Sequence, residues 1–384
     1  MPSQPVSVVI IGASVAGIPI AHALLKDVPA VKVTLINPSP TFYFMIAAPR
    51  ILAKQDAFTQ EQYLLPIEKE FSRYPKHSFS FVQGRASAID ISAKTVSVEG
   101  TERIPFDYLV IASGSTTTST KRTDATPIPF KQSNSDNMTD LIRNAQASIA
   151  TARSIVIAGA GPIGVELAGE IAEAARQKGR TVNVTLVSAT HRILPMLKPA
   201  GSTAAEKFLS NMGVKVMKGI KVSRAIQEPG SPSWTVMLDE GQQLQADLYI
   251  PTTGVLPNNE FIPAEFLDDN GWVKVDEELR VKSKRESALL PIFAAGDITN
   301  NSMRLSFKAQ EQAAIVANNL KVEIGGSGKR KSYNQGDKIM MVVPVGSTGG
   351  TGLIFGWTPW SSMVKMVKGK DFLISKARSV TAAK

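Results

Sequence analysis

The sequence predicts an α/β protein made of two doubly wound halves and a short α+β tail, and three observations carry that prediction. The apolar run Val8-Val9-Ile10-Ile11 leads into a glycine turn, Gly12-Ala13-Ser14-Val15-Ala16-Gly17. A second run, Ile155-Val156-Ile157-Ala158, leads into another, Gly159-Ala160-Gly161-Pro162-Ile163-Gly164. Each turn is followed downstream by a further apolar segment closing on glycine, at residues 107–114 and 247–254. Continuous apolar runs bounded by glycine are the mark of strands buried on both faces, which occur in parallel sheets covered by helices.

Taken in order, residues 6–11 and 31–36 read as strands around a helix over 15–27, a right-handed βαβ unit. The stretch to residue 75 is polar, helical and rich in turns. Residues 79–84 and 94–98 alternate like meander strands, and 107–115 form a buried strand ending in a small-residue turn. Residues 115–135, rich in Ser, Thr, Lys and Pro, read as a linker. The pattern then restarts: Ser135 and Asp136 stand where they can cap a helix to residue 150. A strand over 154–158, the second glycine turn, a helix to 177 and a strand over 182–187 follow. Residues 291–298 read as a short strand ending in Gly296-Asp297, with a helix after it over 307–320. The tail holds a strand-like run at 338–345, a Gly/Thr turn, an aromatic run from Phe355 to Trp360, and lysines. The expected division is a discontinuous first domain (1–122 and 258–335), a second domain (123–257) and a C-terminal segment (336–384).

Composition narrows the function. The 384 residues suffice for two or three cores, and 43% hydrophobic with 20% charged residues is ordinary for a globular protein. No apolar run reaches membrane-spanning length. Pro2 stands where myristoylation needs glycine, no signal peptide is visible, and a cytoplasmic protein is the expectation. There is no cysteine, which excludes disulfide staples, thiolate metal sites and a thiol–disulfide relay. With three histidines, His22, His77 and His191, no metal site is expected. The net charge of +10 admits anionic partners, among them nucleic acid and anionic lipid, and reads equally as a solubilising surface.

A strand running into a helix N-terminus presents free N–H groups and a positive dipole end, a place for a pyrophosphate. In the first turn Gly12 serves the tight bend and Gly17 the close helix–strand contact, while Ser14 stands where backbone meets phosphate. The next strand ends in Asn37 in place of the acid that usually holds an adenosine ribose. The second turn is complete at Gly159, Gly161 and Gly164, and its following strand ends in Ser188. An acid there repels a 2′-phosphate; Ser188, with His191 and Arg192 behind it, removes the repulsion and supplies donors, so NADPH is mildly favoured over NADH. Ser113-Gly114 and Gly254 close the returning strands and count among the nucleotide-facing positions. Asp297, at a strand end before a helix, can accept from the ribityl hydroxyls of a flavin, and that helix can favour the negative charge of a reduced flavin.

The order GASVAG (12–17), ASGS (112–115), GAGPIGVELAGEI (159–171), TTGVLPN (252–258) and FAAGDI (293–298) resembles the flavoprotein oxidoreductases of the glutathione-reductase fold over nearly the whole chain. Within them it looks most like the AIF-like branch that includes the ferroptosis suppressor proteins, and the tail glycines 346, 350, 352 and 356 with MVKMVKGKDF (363–372) match that branch. The resemblance implies two Rossmann-like dinucleotide-binding domains, FAD in the first, NAD(P)H in the second, and two-electron reduction of quinone-like acceptors. It also implies that Arg50 lies near the FAD, that Val82 belongs to a strand whose backbone meets adenine, and that Glu166 lies beside nicotinamide and flavin. Lys368 matches a tail lysine near the flavin, and as a tail charge reads equally as solvated.

Without cysteine, electrons must pass from reduced FAD directly to a diffusible acceptor. The expected cycle is hydride from NAD(P)H to FAD, then electrons to the acceptor, with proximity and orientation supplied by the protein. Two other readings stay open: a tailoring oxidoreductase with a private substrate, and an AIF-like nucleic-acid-binding or signalling flavoprotein. Trp357 and Trp360 read as core aromatics or as a quinone- or membrane-facing surface, and the chain as a monomer or homodimer.

Overall fold

The computed structural model describes residues 5–101, 103–121, 125–133, 137–228, 230–231, 233–283, 289–337 and 339–381. Two parallel sheets carry the fold. The first runs in the order Ile292–Ala294, Tyr108–Ile111, Val6–Ile11, Val31–Asn37, Phe79–Gln83, with every adjacent pair parallel. The second runs Lys215–Lys218, Asn183–Ser188, Ser154–Ala158, Leu248–Pro251, again all parallel. In each, the strand that precedes the glycine turn pairs on one side with the next strand in sequence and on the other with the returning strand. Both turns therefore open at the crevice where strand order reverses, which is where doubly wound sheets take their ligands. Val8, Val9, Ile10, Val33, Leu35, Leu109, Val110 and Ile111 are fully buried, as two-sided burial of apolar runs requires.

An antiparallel meander hangs from each half, Ala86–Asp90 with Thr95–Val98 and Ile104–Pro105, and Val222–Gln227 with Trp234–Leu238 and Gln243–Ala246. The two crossings between halves lie side by side as an antiparallel pair, Ser115–Thr117 against Val255–Pro257. The expected linker is thus corrected: it begins as a strand and a short helix, Thr118–Lys121. Its hydroxyls bond one another and the backbone, Thr117 Oγ1 to Thr120 Oγ1 at 2.8 Å and Ser119 Oγ to the Pro251 carbonyl at 2.7 Å.

The Met138–Thr151 helix is capped by Asn137, which accepts from the Asp140 N–H; Ser135 and Asp136 lie outside the described residues. The Ser306–Gly325 helix runs beyond its expected end to a left-handed glycine, Gly326. The tail pairs Met341–Pro344 with Gly350–Leu353 and continues through the short Ser361–Val364 helix, a wide π turn at Lys365–Gly369 and the Ala377–Thr381 helix; Lys338, the expected start of its strand, lies outside the described residues. Among the described residues no helix is long and apolar enough to cross a membrane.

Candidate functional site

Sterics explain the outer glycines of both turns. A Cβ at Gly12 would sit 2.2 Å from the Ala112 carbonyl oxygen, and at Gly17 1.9 Å from that of Gly12. The second turn repeats this: a Cβ at Gly164 would sit 1.9 Å from the Gly159 oxygen. Gly159 adopts φ +116°, as Gly12 adopts +107°. The middle positions differ. A Cβ at Gly161 would meet nothing within 4 Å, so packing does not demand glycine there; the space is open to a ligand. Ser14, in the matching place of the first turn, keeps a buried hydroxyl with no protein partner. The helices Gly17–Asp27 and Pro162–Gln177 have no side-chain cap and no acid in the first turn, which leaves their N–H groups for an anion.

The first turn opens into a cavity of about 320 Å³. Gly12, Ser14, Asn37, Ser113, Gly114 and Asp297 line it from the first half, Glu166 from the second and Lys368 from the tail. Asp297 is carried on the turn after Ile292–Ala294, held there by Gln312, whose Oε1 accepts from the Gly296 N–H at 2.7 Å. Ser306, the first residue of the long helix, also faces the cavity, and that helix too lacks a side-chain cap. An orphan hydroxyl beside uncapped N–H groups, a carboxylate for polyol hydroxyls and a third helix N-terminus together suit a dinucleotide such as FAD.

Glu166, Glu170 and Glu173 form a buried acidic row along the Pro162–Gln177 helix, and cations from two other regions meet it. Lys368 Nζ donates to Glu166 Oε1 at 2.5 Å. Arg50 grips Glu170 through Nε and Nη2 at 2.9 and 2.8 Å. Lys54 bridges Glu170 and Glu173, and Glu173 also accepts from the Ser347 backbone and hydroxyl. Burial pushes the Glu166 carboxyl up to about 7 against the pull of Lys368, with Glu170 adding to the rise.

Several expected site residues stand elsewhere. Asn37 lines the cavity, and its Oδ1 accepts from the Ala13 N–H at 3.0 Å while its Nδ2 donates to the Ser39 carbonyl at 2.8 Å, so it pins the turn. Arg50 is off the cavity; besides Glu170 it bonds the Lys370 carbonyl at 2.9 Å and rests on the Phe372 ring, a strut between helix and tail. Val82 does not line the cavity; its neighbours Gly84, Arg85 and Ala86 do. Gly17, Gly159, Gly161, Gly164, Ser188, His191, Arg192 and Gly254 also lie outside it. The Ser188 hydroxyl is buried and turned into its own loop, toward Thr190 and the Arg192 carbonyl, so it offers no donor to a phosphate. His191 is exposed, and Arg192 bonds the Pro195 and Leu197 carbonyls at a long 3.4 Å. Two residues were missed. Thr252 fastens the second turn through its hydroxyl to the Gly159 carbonyl at 2.7 Å. Lys131, inside the supposed linker, reaches Asp297 in the cavity; a lysine in a Ser/Thr/Lys/Pro stretch carries no periodic signal.

Two parallel sheets with a dinucleotide turn each, one of them meeting a Gly-Asp turn across a shared cavity, define a two-dinucleotide flavoprotein oxidoreductase. The chain belongs to the pyridine nucleotide-disulphide oxidoreductase family, whose model matches residues 6–313, and its cofactors are FAD and NAD(P)H. The disulphide of the family name has no counterpart in a chain without cysteine. Oxidoreductase ptaL of Pestalotiopsis fici is 33% identical over 97% of this chain and 98% of its own length. Ferroptosis suppressor protein 1 of Mus musculus is 27% identical over 96% of this chain and 94% of its own. The sulfide:quinone oxidoreductase of Aquifex aeolicus superposes with a TM-score of 0.77 at 18% identity, over 99% of this chain and 93% of that one.

Proposed function

We propose that the protein passes electrons from NAD(P)H, through FAD in the shared cavity, to a quinone-like small molecule. FAD, when bound, supplies the two-electron redox chemistry. Ser14 and the first-turn N–H groups would hold the pyrophosphate, and Asp297 the ribityl chain. The uncapped N-terminus at Ser306 favours negative charge at the same wall. Glu166, held near neutrality, orients the nicotinamide and can hold or release a proton, and Lys368 fixes its orientation. The observation that carries this reading is that Glu166 and Lys368, from the second half and the tail, line the same cavity as the first turn and Asp297. The motif order's resemblance to the AIF-like branch, which implies quinone-like acceptors, supports a quinone-type acceptor. Oxidoreductase ptaL, at 33% identity, supports the oxidoreductase class without naming an acceptor, and a private substrate in the same role is the second reading.

NADPH remains the favoured donor in this reading: no carboxylate ends the Asn183–Ser188 strand, and Arg192 and His191 stand beside it. On the tail, Phe355, Trp360 and Met366 are each about three-quarters exposed, and Lys365 and Lys370 are exposed beside them. That pattern supports peripheral contact with an anionic membrane surface. The test is an anaerobic visible spectrum: flavin bands bleach faster with NADPH than NADH and return on adding a quinone. A protein that cannot be loaded with FAD overturns the reading; bands that return only with another acceptor class leave the private-substrate reading.

A further inference from the structure

The cavity holds a second lysine that neither the motifs nor the family's pattern assigns. Residues 125–133 fold back over the first half, and Phe130, Lys131, Gln132 and Ser133 all line the cavity. The segment is tied down through Tyr43, whose hydroxyl donates to the Pro129 carbonyl at 3.2 Å and whose backbone N–H donates to Gln132 Oε1 at 3.3 Å. Lys131 Nζ donates to Asp297 Oδ2, and the Ser115 hydroxyl donates to the same oxygen at 2.7 Å. Among the described residues, no protein group donates to the other oxygen, Oδ1. Lys131 and Asp297 are both mostly buried, with side chains 14% and 16% exposed.

We infer that Lys131 is a positioning residue for FAD: it keeps Asp297 charged and turns its free oxygen toward the cavity, where a hydroxyl of the ribityl chain can donate to it. The inference rests on the reading of this cavity as the FAD site. The physical reason is that a buried carboxylate is costly unless paired, and a charged acceptor binds a hydroxyl more strongly than a neutral one. Burial alone drives the Asp297 carboxyl upward; the Lys131 ammonium and its hydrogen bond, the Ser115 hydroxyl and the Arg304 charge outweigh it and hold the carboxyl below its usual range. Arg304 contributes from a distance, with its guanidinium seated 3.8 Å over the Trp272 ring. One lysine thus lets an acid on one side of the cavity act as a permanent acceptor, although it enters from a segment that sequence assigns to the other domain.

The test measures FAD binding by flavin fluorescence on apoprotein, in a cycle of Lys131→Met, Asp297→Asn and the double variant, with Lys131→Arg as the conservative control. Lys131→Met should weaken FAD binding roughly ten- to a hundredfold. The same substitution in the Asp297→Asn background should change binding less than threefold, because no charge is left to position. Lys131→Met should also make FAD binding pH-dependent between pH 5 and 8, through the unpaired carboxyl; wild type and Lys131→Arg should be flat there. An equal loss in both backgrounds, or a flat profile for Lys131→Met, means that Lys131 only anchors its segment and overturns the inference. Failure of the wild-type protein to bind FAD at all is a different outcome, and defeats the reading of the cavity itself.

Discussion

Lys368 places its ammonium 2.5 Å from Glu166 Oε1, across 202 residues of sequence. The wide turn at Lys365–Gly369 makes this contact: Met366 on it is 74% exposed, while the Lys368 side chain is 14% exposed. Such turns interrupt the regular helical register and often mark functional sites. A buried acid that titrates near pH 7, held by Lys368 beside two dinucleotide turns, is a poised group.

That pair sets a pH dependence. Burial raises Glu166 to about 7 and Lys368 opposes the rise, so Lys368→Met should move its titration upward by about one unit or more. Flavin reduction by NAD(P)H, followed by stopped-flow bleaching across pH 5–9, should show a limb near 7 in the wild type. The limb should shift to higher pH in Lys368→Met and vanish in Glu166→Gln. A limb unmoved by either change refutes the assignment.

Arg50 and Glu170 make a bidentate pair that is almost fully buried. Glu170→Gln leaves the Arg50 charge with weaker partners, and breaking such a pair costs roughly 3–5 kcal/mol. Thermal unfolding should show a lowered Tm, and limited proteolysis should show earlier cleavage in the tail that Arg50 also holds through the Lys370 carbonyl.

His22 is stacked on Phe71 at 4.1 Å; a neutral ring protonated on Nε2 donates to the Thr381 carbonyl and accepts from the Tyr74 hydroxyl at Nδ1. Burial lowers it to about 4, with the Thr381 bond opposing and the Arg73 charge assisting. The unfolded chain then takes up a proton below pH 6.5 that the folded one refuses, so stability is lost as pH falls from 6.5 to 4, by about 3 kcal/mol. Urea unfolding at pH 7 and pH 5 should show the loss in wild type and a smaller one in His22→Leu.

Coenzyme choice should rest on Arg192 more than on Ser188. Arg192→Ala should raise KM for NADPH about tenfold and leave NADH nearly unchanged. Ser188→Glu, which forces a carboxylate into a buried position, should cost stability as well as NADPH affinity. Equal KM changes for both coenzymes would remove the 2′-phosphate argument.

Trp360→Ser combined with Met366→Ser should reduce sedimentation with vesicles containing anionic lipid, and salt should weaken wild-type binding. Wild-type protein that ignores such vesicles at low salt ends the membrane proposal.

Much of this was legible in residue order. Both parallel sheets follow from uninterrupted apolar runs ending in glycine, because a strand covered on both faces has no polar alternation to hide it. Gly12, Gly17, Gly159 and Gly164 were readable from the turn pattern; a Cβ at Gly12, Gly17 or Gly164 would collide with backbone, and at Gly159 with the Thr252 and Thr253 side chains. Glu166 and Lys368 were reached through resemblance, since nothing local marks either.

What sequence determined by itself was the sheet order's raw material, the two turns and, through the absence of cysteine, an electron path without thiols. Tertiary structure decided which polar groups are free. Asn37 and Ser188 stand at the expected strand ends, yet Asn37 is engaged by the Ala13 turn and Ser188 by its own loop, while Lys131, in a stretch read as linker, is brought to Asp297. Periodicity reports which side of an element is buried; the partner that a buried polar atom finds depends on chain segments far away in sequence, and only the folded packing brings those together.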